Sequence, residues 1–383
     1  VYLDNAATSF PKPESVYAAV LHAMRDVGAS PGRGGYRQAL EAGRILFQAR
    51  ETVADFFSIA DSSRIIFTHN ATGALNLALQ GTLAAGDHVI TTSMEHNSLL
   101  RPLYALRSKG VEVSIVPAGA DGVASVDDIR HALRVNTKMI AISHVSNVCG
   151  AIQPIKKISE LCHESGALFL VDAAQSAGHL PIHVASDAID LLAVPGHKGL
   201  LGPSGTGFLY AASGVPLTAV IQGGTGTNST AEEQPCVMPD GFEAGTHNLP
   251  GIAGLQAGIE FIQSVGLPVI HQHEQALLAQ AEESLKAIPG AVMYSSADPS
   301  DRCSVLSFTV SGIDSSLLAT LLDHDYDIAV RAGLHCAPLA HRTLGTVPNG
   351  TIRVSPGWFT TCEEIAFFSH AVVQCVAKIR KSS

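Results

Sequence analysis

No segment of the chain approaches the ~20 apolar residues in a row that a bilayer span requires. No run of Lys or Arg stands out either, so nothing points to nucleic acid or to an anionic membrane surface. The opening Val1-Tyr2-Leu3-Asp4-Asn5 has neither the basic nor the apolar stretch of a secretory signal. There is no CxxC spacing. The seven cysteines (Cys149, Cys162, Cys236, Cys303, Cys336, Cys362 and Cys375) are odd in number and scattered. That pattern argues against a disulfide framework and a structural zinc site, and for a reducing, cytoplasmic setting with no bound metal. What the chain has is length and apolar content. Its 383 residues are 46% apolar and 15% charged, enough for a sizeable core and too apolar for disorder. Such a length favours a large domain plus a smaller one. With 34 acidic against 24 basic residues the formal charge is -10, so an anionic ligand would need donors supplied locally.

From about residue 64 to 211, short apolar runs alternate with helix-like stretches. Strands are expected at Arg64–Thr68, His88–Thr92, Val111–Val116, Met139–His144, Ala167–Val171, Leu191–Val194 and Gly207–Tyr210. Helical patterns lie between several of them, as at Thr72–Leu83, Asn97–Lys109 and Ile155–Ser165. This rhythm predicts an α/β fold with a mostly parallel sheet flanked by helices. Then comes a glycine- and threonine-rich segment, Gly223-Gly224-Thr225-Gly226-Thr227, and a polar stretch to Asp240, too long for a tight connection. It reads as a functional or interface loop. Beyond it, Leu249–Val265 and Leu267–Ala287 read as long helices. Strands at Ser304–Val310 and Ile352–Ser355, with helices at Ser315–Asp323 and Cys362–Ile379, suggest a smaller C-terminal α/β unit.

In parallel sheets ligands sit beyond the carboxyl ends of the strands, so the residues there matter most. After the first strand come Asn70-Ala71-Thr72-Gly73, a helix start suited to a phosphate or merely an ordinary threonine cap. After the second come Glu95-His96-Asn97, and after the fourth His144-Val145-Ser146-Asn147, polar clusters with a binding or a structural reading. Asp172 follows a wholly apolar run, Leu168-Phe169-Leu170-Val171. A carboxylate there must be paired, hydrogen-bonded or protonated. It either caps the next helix or meets a cation such as the protonated pyridine nitrogen of pyridoxal 5′-phosphate (PLP). After the sixth strand comes Gly196-His197-Lys198-Gly199. A lysine in that position is poorly explained as a solvated surface residue, and its desolvated amine suits Schiff-base chemistry.

Five ordered segments carry a resemblance: Tyr2-Leu3-Asp4-Asn5-Ala6-Ala7-Thr8, Asp172-Ala173-Ala174-Gln175, Gly196-His197-Lys198, Phe242-Glu243-Ala244-Gly245-Thr246 and Arg331-Ala332-Gly333-Leu334-His335-Cys336. They resemble class V aminotransferases of PLP fold type I, and the last is similar to the active-site cysteine loop of cysteine desulfurases. The short stretch between Cys336 and Arg353 resembles the desulfurase group that includes selenocysteine-lyase-like members. The resemblance implies a large PLP-binding domain over residues 15–250. It also implies a small domain, 251–383 with 1–14, carrying the cysteine loop and a carboxylate-binding arginine.

It implies residue roles as well. Lys198 would bind PLP covalently and shuttle the Cα proton. Asp172 would pair with the pyridine nitrogen and Gln175 would bond the ring hydroxyl. His96 would stack on the ring and take part in proton transfer. Ala71, Thr72 and His197 would hold the phosphate. Thr246 would reach the phosphate of a neighbouring subunit, which implies a homodimer with shared active sites. Asn147 and Arg353 would receive the substrate carboxylate, for which a guanidinium fork is well matched. Cys336 would take sulfur from L-cysteine as a persulfide, leaving alanine. L-Selenocysteine is the alternative substrate, and a sulfur-acceptor protein is a further partner. An aminotransferase, epimerase or β-lyase with Cys336 as a buried bystander stays open, as does a non-catalytic PLP-binding partner in sulfur transfer. Three departures stand out: Pro195 where a serine is usual, Gly241 where a basic residue is common, and Leu334 where a more polar residue is usual.

Overall fold

The computed structural model describes residues 1–32, 34–226, 230–296, 298, 301–303 and 305–382. Thr227, in the glycine-threonine segment, and Ser304, at an expected strand start, lie outside them. The strands are β1 (Ile65–Thr68), β2 (His88–Thr92), β3 (Glu112–Val116), β4 (Thr137–Ser143), β5 (Leu168–Asp172), β6 (Leu191–Pro195), β7 (Gly207–Ala211), β8 (Ala291–Tyr294), β9 (Leu306–Val310), β10 (Arg331–Gly333) and β11 (Thr351–Val354). The α-helices are α1 (Glu14–His22), α2 (Arg37–Phe57), α3 (Ala71–Thr82), α4 (Asn97–Arg107), α5 (Val126–His131), α6 (Ile155–Ser165), α7 (Leu249–Val265), α8 (Leu267–Lys286), α9 (Ser315–Tyr326), α10 (Pro338–Thr343) and α11 (Cys362–Ser382).

Two sheets organise the molecule. The larger has seven strands in the order β1-β7-β6-β5-β4-β2-β3, and the smaller four in the order β10-β11-β9-β8. In the large sheet β3, β2, β4, β5 and β6 run parallel, and β7 is antiparallel to both β6 and β1. Two reversals restore direction, so β1 also points with the parallel set. The carboxyl ends of β1, β2, β4, β5 and β6 therefore lie along one edge. The central strands are apolar on both faces because helices cover both, and the expected α/β architecture is the observed one. The small sheet is antiparallel throughout.

Strand β5 ends one residue later than the apolar run suggested, so Asp172 itself closes the strand and pairs in register with Ser143. The sequence reading missed α2 because its buried face is mostly alanine (Ala39, Ala42, Ala49, Ala54), which leaves little apolar contrast along the chain. It missed β10 because three residues carry no periodicity. Leu3 is buried in the small-sheet core with Leu277, Phe308, Ile352 and Phe368. Its amide donates to Ala329 O at 2.9 Å, and Ser355 N donates to its carbonyl at 2.8 Å. Helix α7 packs Ile252, Leu255, Ile259 and Ile262 into the core of the large sheet. Among the described residues no single helix is long and apolar enough to cross a membrane.

A buried ion pair fixes the segment after residue 240. Arg50 donates to Glu243 through Nη1 at 2.8 Å and Nη2 at 2.9 Å, and to the carbonyl of Ile65. His247 Nε2 stands 2.7 Å from the same carboxylate. Removing one member strands a charge in the core. Glu243→Ala is expected to lower stability by about 3–5 kcal/mol, read as a fall in denaturant midpoint at unchanged slope.

Candidate active site

The strand ends build a cavity of about 190 Å³ lined by Asn70, Ala71, Thr72, His96, Ser98, Ser143, Asn147, Asp172, Gln175, His197 and Lys198, among others. Each enters for a local reason. Asn70 caps α3, its side chain accepting from Gly73 N at 2.8 Å, so Ala71 and Thr72 form the first turn. Amides of a first turn lack intrahelical partners and favour an anion. His96 caps α4 in the same way, its Nδ1 accepting from Ser98 N at 3.0 Å. Ser98 Oγ also lies 2.8 Å from that nitrogen and 2.9 Å from Thr72 Oγ1, tying the two helix starts together. Burial first, then the charges of Lys198, Arg353 and Arg101, push the His96 imidazole down to about 4. It is neutral near pH 7. With Nδ1 accepting, its proton sits on Nε2.

Asp172 is buried, and its Oδ1 accepts from Ala174 N at 2.9 Å. Burial raises its pKa against the pull of that bond and of Lys198. Gln175 is fixed by donating Nε2 to Ala6 O at 3.0 Å. Burial lowers Lys198 to about 8, with Asp172 raising it and Arg353 lowering it. The turn carrying it is held from behind by the chain's opening segment. Ser9 N, Thr8 Oγ1, Ser9 Oγ and Lys12 Nζ all reach His197 O, at 3.0, 3.1, 3.2 and 3.0 Å. Ser9 Oγ also reaches Lys198 O at 2.9 Å.

The cysteine loop borders this cavity. Asn147 Nδ2 donates to His335 O at 2.7 Å, and Asn97 N donates to Cys336 O at 2.8 Å. His335 (φ 48°) and Cys336 (φ 58°) are both left-handed, a conformation that costs a non-glycine residue about 1–3 kcal/mol. Cys336 is exposed. It is therefore not the buried, inert thiol left open as an alternative. Arg353 is buried on β11, donating Nη1 to Asn147 O at 3.1 Å and Nη2 to Asp4 Oδ1 at 2.9 Å. Its Nε has no hydrogen-bond partner.

Of the eleven residues singled out from sequence, eight line the cavity: Ala71, Thr72, His96, Asn147, Asp172, Gln175, His197 and Lys198. Arg353 and Cys336 reach its wall through Asn147 and Asn97. Thr246 does not join them. It is exposed and lines a separate cavity with Phe242, His247 and Val220. Sequence reasoning missed Ser98, Ser143 and Asp4, and it gave a threonine the capping role that Asn70 holds. Asp4 had a signal: Arg331 and Arg353, paired across β10 and β11, need an anion, and Asp4 bonds both.

The aminotransferase class-V family model matches residues 1–368. The chain belongs to this family, in its cysteine desulfurase branch. It is 38% identical over 372 residues to a probable cysteine desulfurase of Methanothermobacter thermautotrophicus, covering 95% of this chain and 92% of the relative. It is 35% identical over 347 residues to a cysteine desulfurase of Yersinia pestis, covering 88% and 84%. Among solved structures it resembles the apo cysteine desulfurase of Thermococcus onnurineus, with a TM-score of 0.91 and 33% identity over 99% of this chain and 95% of that one. It also resembles the Escherichia coli cysteine desulfurase CsdA, with a TM-score of 0.88 and 29% identity over 98% and 94%. Class V aminotransferases are PLP-dependent in general. The cavity of this family member fits that group. His197 Nδ1 is buried with no hydrogen-bond partner, which a phosphate oxygen would satisfy. No cation is within ion-pair distance of the buried Asp172 among the described residues, and a pyridinium would supply one.

Proposed function

We propose that this chain is an L-cysteine desulfurase that uses PLP, yielding L-alanine and a persulfide on Cys336. The observation that carries it is the pairing of two sites. Lys198 and Asp172 face one cavity, and the exposed Cys336 sits on a loop bonded to that cavity's wall at Asn97 and Asn147.

When bound, PLP would supply an electron sink that makes the Cα proton of an amino acid removable. Ala71, Thr72 and His197 would hold its phosphate, Asp172 its pyridine nitrogen and Gln175 its ring hydroxyl. Lys198, with its amine at about 8, has a substantial unprotonated fraction at neutral pH, so Nζ can join the cofactor and later move the Cα proton. His96, neutral with its proton on Nε2, would lie on the ring and donate a hydrogen bond rather than accept one. Arg353 offers its free Nε beside Nη2 to the substrate carboxylate, and Asn147 orients it. The Cys336 thiolate would then attack the substrate sulfur. An S–S bond forms, the Cβ–S bond breaks, and its electron pair remains with Cβ, which takes up a proton to become the methyl of alanine.

The exposed position of Thr246, outside the cavity of its own chain, supports its use in the site of a second copy and hence a homodimer. L-Selenocysteine presents the same carboxylate and amine and fits the same contacts. A sulfur-acceptor protein and a cytoplasmic setting complete the proposal. The division into residues 15–250 and 251–383 with 1–14 is supported by the apolar cluster joining Leu3 to Leu277–Ile379, although α7 packs on the large side. The test is to incubate the PLP-loaded protein with L-cysteine and a thiol reductant. Alanine and sulfide should appear in equal amounts. Pyruvate or a keto acid in place of alanine would assign another reaction of the family.

A further inference from the structure

One buried acid behind the cavity wall, bonded to the lining residue Ser143, has no part in the mechanism above. Glu95 is fully buried in the turn between β2 and α4. Thr92 Oγ1 donates to its Oε1 at 2.6 Å, and Ser143 N donates to its Oε2 at 2.8 Å. Ser143 is the register partner of Asp172 on the neighbouring strand, and His144 N donates to Asp172 O at 2.9 Å. The two buried carboxyls thus stand one strand apart, linked by a single backbone step. Among the described residues no cation is paired with Glu95. Burial raises its pKa to about 7, and the charge of Asp172 pushes in the same direction. The other titratable groups nearby do not supply a counterion: His96 on the same turn and His144 beyond β4 are both held neutral by burial, near 4, and Lys198 bears on Asp172. A buried carboxyl kept without a cation is costly unless something else at the site stabilises its charge. A protonated pyridine nitrogen against Asp172 would do so.

We infer that Glu95 is a positioning residue for the cofactor ring, a second carboxylate set behind Asp172 whose field strengthens the hold on the ring-nitrogen proton. This rests on the PLP reading above. It differs from a purely structural role because Gln fits the same place. Its carbonyl can accept from Ser143 N and its amide can donate to Thr92 Oγ1, so Glu95→Gln removes charge and leaves both bonds.

The experiment uses the full-length protein reconstituted with PLP labelled with ¹⁵N in the ring, and reads the ring-nitrogen resonance against pH. In Glu95→Gln the titration midpoint is expected to fall by about one pH unit, a tenfold loss of proton affinity. Thr92→Ser, which keeps both the hydroxyl and the carboxyl, should stay close to the wild type. Superimposable wild-type and Glu95→Gln curves would overturn the inference, and so would equal shifts in both variants or a nitrogen protonated throughout in all three. A wild-type protein that takes up no PLP would instead sink the cofactor reading itself, so the two failures are told apart.

Discussion

Cys336→Ala should still take up PLP and yet form alanine from L-cysteine at least about a hundredfold more slowly, because the step it loses is the nucleophilic one. The two readouts separate because of where Cys336 sits. Its side chain is exposed, and its contact with the cavity wall is made through its backbone carbonyl to Asn97 N at 2.8 Å. Alanine keeps that carbonyl and meets the same left-handed backbone, so the loop keeps its shape. Mass analysis of the wild type after cysteine, without reductant, should show a gain of about 32 Da, one sulfur atom, on the peptide containing Cys336. The variant should show none. Full alanine production by Cys336→Ala would remove the persulfide route and favour a β-lyase or aminotransferase assignment.

Lys198→Ala should lose the visible band of the bound cofactor and all measurable turnover, the larger of the two effects. Without Nζ there is no covalent anchor and no group to move the Cα proton. The pH dependence follows from burial. An ordinary lysine at 10.5 is about 0.03% unprotonated at pH 7, whereas one at about 8 is about 10% unprotonated. The rate of PLP attachment to the wild type should therefore rise about tenfold per pH unit up to pH 7 or so and level off above 8. A rate still climbing steeply at pH 10 would show that the amine is not depressed.

Much of this site was legible because α/β sheets place chemistry at strand ends. Asp172 and Lys198 each follow an apolar run with no break, and a charged residue there has few structural excuses. The helix starts at Ala71 and Asn97 were legible from the polar residues that follow each apolar strand, although the caps are Asn70 and His96 and not the threonine expected at the first. Less could be read where the signal depends on partners distant in sequence. Asp4 looks like any acid near the start of a chain until β10 and β11 bring Arg331 and Arg353 beside it. Ser98 and Ser143 are small and common, and matter only because one hydroxyl ties two helix starts together and one amide holds Glu95. Helix α2 stayed hidden because an alanine face gives no contrast.

The bonds behind Lys198 also set a schedule. Residues 8–12 close on the carbonyl of His197, and Leu3 lies between Ala329 and Ser355. Residues 8–12 meet a partner 185 to 189 residues further along the chain, and the partners of Leu3 lie further still. At ordinary synthesis rates that gap is on the order of tens of seconds, during which the opening segment has no place to go. Such long-range closures are slow steps in folding. The turn carrying the reactive lysine can gain its rear support as soon as it is made, because residues 8–12 already wait for it, whereas Leu3 finds its place only after Ala329 and Ser355 have followed.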